Sequence, residues 1–300
     1  MPQPRKNNAM KKLLALLTVL PFLGAAPVRA VAPASPAVRH LAHGVHDIAY
    51  EVRGDGPDTL VFIHGWTGNR HVWRHQLDAF PDYRRIAIDL PGNGDSSRIE
   101  DAPYTMEFFA DAVRAVLDAE HVDRATLFGH SMGFAVAEVF AAQYPARCAA
   151  IAAIDGARFE VPADPDGQQQ WRRDTQAMAD AMVVEEARDA FILMLFLPDS
   201  PESLKDEILR TSRTVPLSIA RAMIAGVAAD WAHWLPKRVE IPCLAVYSPA
   251  YGLPPDYREH FARSYPLVEY HDVHDVSHFF MLEIPDQLND LIAAFLSRHN

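Results

Sequence analysis

Six short apolar runs recur along the chain: TLVFIH (59–64), RIAIDL (85–90), ATLFGH (125–130), AAIAAID (149–155), CLAVYS (243–248) and LVEYHDV (267–273). Most lack polar alternation, as strands do when both faces are covered. Between them the period changes. From Thr105 to Glu120, the residues Phe109, Ala112, Val113, Val116 and Leu117 fall on one helical stripe, and Leu288 to Leu296 does the same near the C-terminus. Strands alternating with helices predict a mostly parallel central sheet flanked by helices, the α/β class. Such sheets collect ligands at the C-terminal ends of their strands.

Residues 156–240 interrupt this rhythm. They contain no convincing strand, three helical stretches (QWRRDTQAMADAM, EEARDAFILMLF and LSIARAMIAGVAADWAHWL), and turn punctuation at Pro198, Pro201 and Pro216. The pattern predicts a helical cap at 156–240 inserted into a core made of 31–155 and 241–300. Met178, Met182, Met194 and Met223 either fill the core of that insertion or line a flexible apolar pocket.

The chain has 300 residues, 49% hydrophobic and 22% charged, an ordinary globular composition. Its start differs. MPQPRKNNAMKK carries four positive charges, LLALLTVLPFLGAA is apolar but too short to span a bilayer, and Val28-Arg29-Ala30 has the small-x-small form of a cleavage site. Residues 1–30 therefore read as a secretory signal peptide, giving a periplasmic or extracellular protein with no stable membrane anchor after cleavage. Cleavage would remove five Lys/Arg and no acid, so 23 Lys/Arg against 39 Asp/Glu would leave a net charge of −16 in place of −11. That charge argues against nucleic acid or anionic lipid as partner and leaves a small molecule. Oligomeric state is open. Cys148 and Cys243 are the two cysteines, and either one bridge or two inert thiols is compatible with their places near two strand starts.

Chemistry concentrates in Gly129-His130-Ser131-Met132-Gly133, between the strand ATLF and the helical FAVAEVFAAQY. In G-x-S-x-G the serine sits on a tight turn from strand to helix, and small flanking residues let neighbouring backbones approach, so that Oγ stands out above the sheet. His64-Gly65-Trp66-Thr67-Gly68 follows the strand TLVFI. Acyl transfer needs two backbone N–H groups aimed at the developing oxyanion, one from the residue after the nucleophile and one from a loop after an earlier strand; Met132 and Trp66 occupy those positions.

With DLPGNGDSS (89–97) and DVSHFFMLEIP (275–285), these motifs resemble the α/β-hydrolase superfamily in order from about Asp47 to the C-terminus, excepting the insertion, which is similar only in being a helical cap. The resemblance implies a serine hydrolase without cofactor or metal, with Ser131 as nucleophile and His278 as base. Serine here also separates the chain from the superfamily's dehalogenases and epoxide hydrolases, which use an aspartate. In DLPGNGDSS, Asp89 and Ser96 resemble a structural turn that ties neighbouring loops. The spacing of His271, His274 and His278 straddles a strand end and a loop, without the HExxH helix or paired cysteines of a zinc set.

One feature departs from the family. Its acid usually follows the strand equivalent to CLAVYS, where this chain has Tyr251. Asp155, ending AAIAAI, is the preferred substitute, because some superfamily members resemble this in placing the acid there and the two strand ends should be neighbours. Asp256 and Asp275 stay open, as does the absence of any acid. The expectation is an exported serine hydrolase of small or medium, partly apolar carboxylic esters, with Ser131, His278 and Asp155 catalytic and Trp66 and Met132 forming the oxyanion hole. The same triad also suits a lactonase, amidase, C–C bond hydrolase or acyltransferase, and a chain that had lost its acid would be a non-catalytic ligand-binding homologue.

Overall fold

In strand β3 (Thr59–Ile63) every residue is buried, yet successive side chains join different cores: Val61 and Ile63 one cluster, Leu60 and Phe62 another. This two-sided burial removes polar alternation from the sequence. The computed structural model describes residues 37–299 apart from 160, 235–236 and 252–255. The leader expected at 1–30 lies outside them.

Among the described residues, eight strands form one sheet in the order β1-β2-β4-β3-β5-β6-β7-β8. The others are β1 (Arg39–His43), β2 (His46–Arg53), β4 (Arg84–Ile88), β5 (Ala125–His130), β6 (Cys148–Ile154), β7 (Cys243–Tyr247) and β8 (Val268–Asp272). From β4 to β8 all neighbours are parallel; β2 runs antiparallel to β1 and β4. One face carries α2 (Met106–Ala119) and α3 (Met132–Gln143); the other carries α1 (Arg74–Ala79) and α10 (Pro285–His299). The stripe expected at Phe109, Ala112, Val113, Val116 and Leu117 is the buried face of α2, whose first turn is capped by Thr105 Oγ1 accepting from Phe108 N–H at 3.1 Å.

Two features were not expected. β1 and β2 extend the sheet where the sequence shows no long apolar run; Arg39, at the sheet edge, pairs with Glu120 at 2.7 Å, and Tyr50 hydroxyl donates to the same carboxylate. The insertion holds four helices among the described residues: α4 (Pro165–Ala181), α5 (Glu185–Leu193), α6 (Glu202–Arg213) and α7 (Leu217–Ala229). Of these, α6 is the unexpected one. The remaining helices are α8 (Tyr257–Ser264) and the single turn α9 (Phe280–Glu283). Among the described residues, no helix is long and apolar enough to cross a membrane.

The inserted helices are fastened to the loops above the sheet. Trp66 Nε1–H donates to Ala220 O at 2.8 Å, Ser212 Oγ–H to Thr67 Oγ1 at 2.8 Å, and His278 N–H to Leu195 O at 3.0 Å. Asp230, after α7, accepts from Met106 N–H at 2.6 Å and Glu107 N–H at 3.2 Å, capping α2 from outside. Of the four methionines, Met178 and Met223 line a cavity, Met182 packs with Ala179 and Ile224, and Met194 is exposed. Cys148 and Cys243 are free buried thiols. Cys243 is registered with Ile151, three residues beyond Cys148, which disposes of the bridge left open by the sequence.

Candidate active site

Parallel register explains which residues meet. His130 in β5 is paired with Ile154 in β6, so Ser131 and Asp155, each the next residue, emerge side by side at the C-terminal edge of the sheet. Both have left-handed backbones, φ 51° at Ser131 and φ 44° at Asp155. Such φ values for non-glycine residues cost about 1–3 kcal/mol each and persist where surrounding structure over-determines them. Here Ser131 N–H donates to Ile154 O at 3.3 Å, while Ser131 O accepts from Phe134 and Ala157 N–H, both at 2.9 Å.

The glycines of the motif serve close approach. A Cβ on Gly133 would lie 2.3 Å from Ile63 O, and one on Gly129 2.4 Å from the Phe134 backbone. Ser131 occupies the N-cap of α3, where serine ordinarily turns its hydroxyl onto the helix, but makes no such bond. Its hydroxyl is thus kept off the helix.

His278, in the loop between β8 and α9, places Nδ1 at 2.6 Å from Asp155 Oδ2. A carboxylate only accepts, so Nδ1–H donates to it and Nε2 is the ring nitrogen that can act as base. The other carboxylate oxygen, Oδ1, accepts from Ser248 N–H at 2.9 Å, and Ser248 Oγ–H donates to Val276 O at 2.9 Å, tying β7 to the histidine loop. Glu283 holds the loop from the other side, accepting from Ser277 N–H at 2.6 Å and from Ser200 Oγ–H, in the insertion, at 3.2 Å. Sequence reasoning missed Ser248 as a partner; the signal was a small polar residue ending the strand beside that of Asp155.

The His64–Gly68 loop approaches closely. A Cβ on Gly65 would stand 3.0 Å from that of Ser131. Trp66 N–H and Met132 N–H donate to no group among the described residues. His64, fully buried, donates from Nδ1 to Gly65 O at 2.7 Å and accepts at Nε2 from Leu90 N–H at 3.0 Å, the pattern of a neutral ring; burial lowers its pKa. His130 Nε2–H donates to His278 O at 3.0 Å, and burial first, then the neighbouring His278, holds its pKa well below the ordinary value.

The other candidates lie elsewhere. Asp256 is an exposed residue at the start of α8, and Asp275 is exposed in a left-handed turn. Tyr251 ends a 3-10 turn after β7. His271 belongs to β8, with exposed His274 just beyond it. Asp89 accepts from Arg70 N–H at 2.7 Å and Asp95 N–H at 2.8 Å and pairs with the Arg70 guanidinium. Its carbonyl takes Ser96 Oγ–H at 2.6 Å, and Ser96 Oγ accepts from Ala49 N–H at 2.8 Å, so this aspartate ties loops as the turn was expected to.

Ser131, His278, Trp66 and Gly65 line one cavity of about 120 Å³ beneath the inserted helices. A hydroxyl on a strained turn, an imidazole held by a carboxylate, and two unengaged N–H groups are the parts that nucleophilic acyl transfer uses.

Residues 58–283 match the alpha/beta hydrolase fold family. Among curated relatives, the dihydrolipoyllysine-residue acetyltransferase component of the acetoin cleaving system of Pseudomonas putida is 28% identical over 83% of this chain and 66% of its own length. The first curated relatives it matches are longer proteins, of which the alignments span between 30% and 66%. Among solved structures, a thermophilic esterase from Thermogutta terrifontis superposes with a TM-score of 0.72 at 24% identity, covering 89% of this chain and all of that one (100%). An epoxide hydrolase from Vigna radiata also reaches 0.72, at 19% identity over 89% and 99%. These structural likenesses are likenesses of fold. The family match spans the serine motif, the His64–Gly68 loop and the histidine loop: this chain belongs to the α/β-hydrolase family.

Proposed function

We propose that the chain is an exported serine hydrolase of small or medium, partly apolar carboxylic esters, working through an acyl-enzyme on Ser131. The observation that carries this reading is the 2.6 Å contact of His278 Nδ1 with Asp155, beside a serine on a left-handed turn. His278 Nε2 takes the Ser131 proton as Oγ bonds to the ester carbonyl carbon. The carbonyl oxygen, now negative, accepts from Trp66 and Met132 N–H; a donor of this kind is worth about 2.7–4 kcal/mol in the transition state. The carbon–oxygen bond to the alcohol then breaks, and His278 returns the proton to the departing oxygen. Water, deprotonated by His278, adds to the acyl carbon and frees the acid and Ser131.

Epoxide opening does not carry over from the epoxide hydrolases of similar fold. Attack by serine would leave an ether with no carbonyl for water to enter, whereas a carboxylate nucleophile leaves a hydrolysable ester.

Two experiments test the reading. Acid release from short alkyl esters should be measurable with the parent and absent in Ser131→Ala, with the acyl group trapped on the Ser131 peptide by acid quench; release undiminished in Ser131→Ala would defeat it. Export is supported by the charge and hydropathy of residues 1–30. Expressed at full length, the protein should leave the cytoplasm and begin at Val31, and retention at full length would remove that part.

A further inference from the structure

Two cavities meet at Ser131, and they differ. One, of about 120 Å³, lies toward α5 and α6, with Thr67, Ile208, Thr211, Ser212 and His278 in its wall. The second, of about 260 Å³, lies toward α4 and α7, with Met132, Phe159, Met178, Met223, Ile224 and Val227 around it; His278 is not among its lining residues. Trp66 and Phe191 belong to both walls, their rings edge to face at 5.5 Å between centroids. Trp66 is fixed by its bond to Ala220 O, so this pair forms a partition over the nucleophile.

An ester bound at Ser131 must send its two ends into different spaces, and proton transfer decides which goes where. When the acyl-enzyme forms, the departing oxygen has to receive the proton held on His278, so the alcohol must lie on the histidine side. The acyl chain is then directed to the side without it. Resting on the esterase reading above, we infer that the smaller cavity receives the alcohol and the larger one the acyl chain, which makes the protein selective for esters of short alcohols with medium-length apolar acids.

Size and chemistry of the walls agree. The larger cavity has about twice the volume of the smaller. The smaller is mainly apolar, but it alone has His278 in its wall, with Thr67, Thr211 and Ser212 nearby, so water that enters once the alcohol has left meets the base that must activate it. The larger is walled mainly by apolar side chains, including two methionines whose unbranched thioethers adjust to chain length.

Ethyl hexanoate and hexyl acetate test this directly, since they are isomers that place the long chain on opposite sides of the carbonyl. With the parent protein, kcat/KM should favour ethyl hexanoate by about tenfold or more. Ile224→Phe, which narrows the larger cavity, should lower kcat/KM on ethyl hexanoate by a larger factor than on ethyl acetate. Equal rates on the two isomers, or preference for hexyl acetate, would overturn the assignment and leave the esterase reading standing. Cleavage of neither would also overturn it, and fluorophosphonate labelling of Ser131 would then tell whether the esterase reading falls with it.

Discussion

The sheet and the insertion bury their residues in opposite ways. Every residue of β5 and β7 is buried, and α3 is buried nearly all round. In the insertion, α4 buries Ala179 alone and α5 buries Arg188 and Ile192, while α7, which lies against the loops, buries one face from Ile219 to Val227. The sheet carries the left-handed residues Ser131 and Asp155 at its edge, and packed strands on both sides hold that strain. The inserted helices touch the same site with side chains that line cavities and through a few hydrogen bonds. Chemistry thus rests on a scaffold that tolerates little change, and fit rests on a layer that tolerates more.

The largest test of this contrast is catalytic. His278→Ala should lower kcat by about 10⁶, whereas Phe191→Ala, in the partition, should change KM and isomer preference and keep kcat within roughly tenfold. Steady-state kinetics on one ester series checks both, and a comparable collapse of kcat in Phe191→Ala would erase the distinction. Next comes backbone approach. Gly133→Ala puts a methyl 2.3 Å from Ile63 O and 2.6 Å from His64 O, and should destabilise by about 3 kcal/mol or more in urea unfolding.

Of similar size is the loss of one isoleucine from each region. Ile151→Ala, in the middle of β6, should cost about 4 kcal/mol, and Ile208→Ala, which opens onto an existing cavity, about 2 kcal/mol; equal costs would mean that the inserted layer is packed as tightly as the sheet. The remaining effect is set by pH. Burial first raises the Asp230 carboxyl from 3.8 to about 6, against the pull of the two N–H groups it accepts from. The folded state therefore holds this proton more tightly than the unfolded one. Its contribution to stability is complete below about pH 4 and is lost as pH rises through about 6, on the order of 2–3 kcal/mol by pH 7. Asp230→Asn, which still accepts both bonds, should flatten that part of the stability profile, as melting temperatures at pH 4.5 and 7 would show.

The parts legible from sequence were those whose pattern is local. Strands covered on two faces read as apolar runs, and the serine motif needs its glycines within two residues of the nucleophile. β1 escaped because RHLAH is an edge strand whose partners include Glu120, far away in sequence. α6 escaped because its buried face is Leu204, Ile208 and Ser212 among charged residues, too narrow to stand out. For Asp155, a charge ending an apolar strand was visible, but only the register of β6 with β5 and β7 brings it beside Ser131 and within reach of Ser248. Of the two cavities only the methionines of the larger were visible in sequence, since their shapes depend on how four helices lie over the loops.

The most direct measurement is the rate of Ser131 labelling by a fluorophosphonate in the parent, Asp155→Asn and Tyr251→Phe, with Ser131→Ala as blank. Rapid labelling of the parent, unchanged in Tyr251→Phe and slowed by about 10⁴ in Asp155→Asn, is the expected result. Labelling of Asp155→Asn at the parent rate would show that this carboxylate does not serve His278, and a parent that does not label at all would contradict a working serine hydrolase.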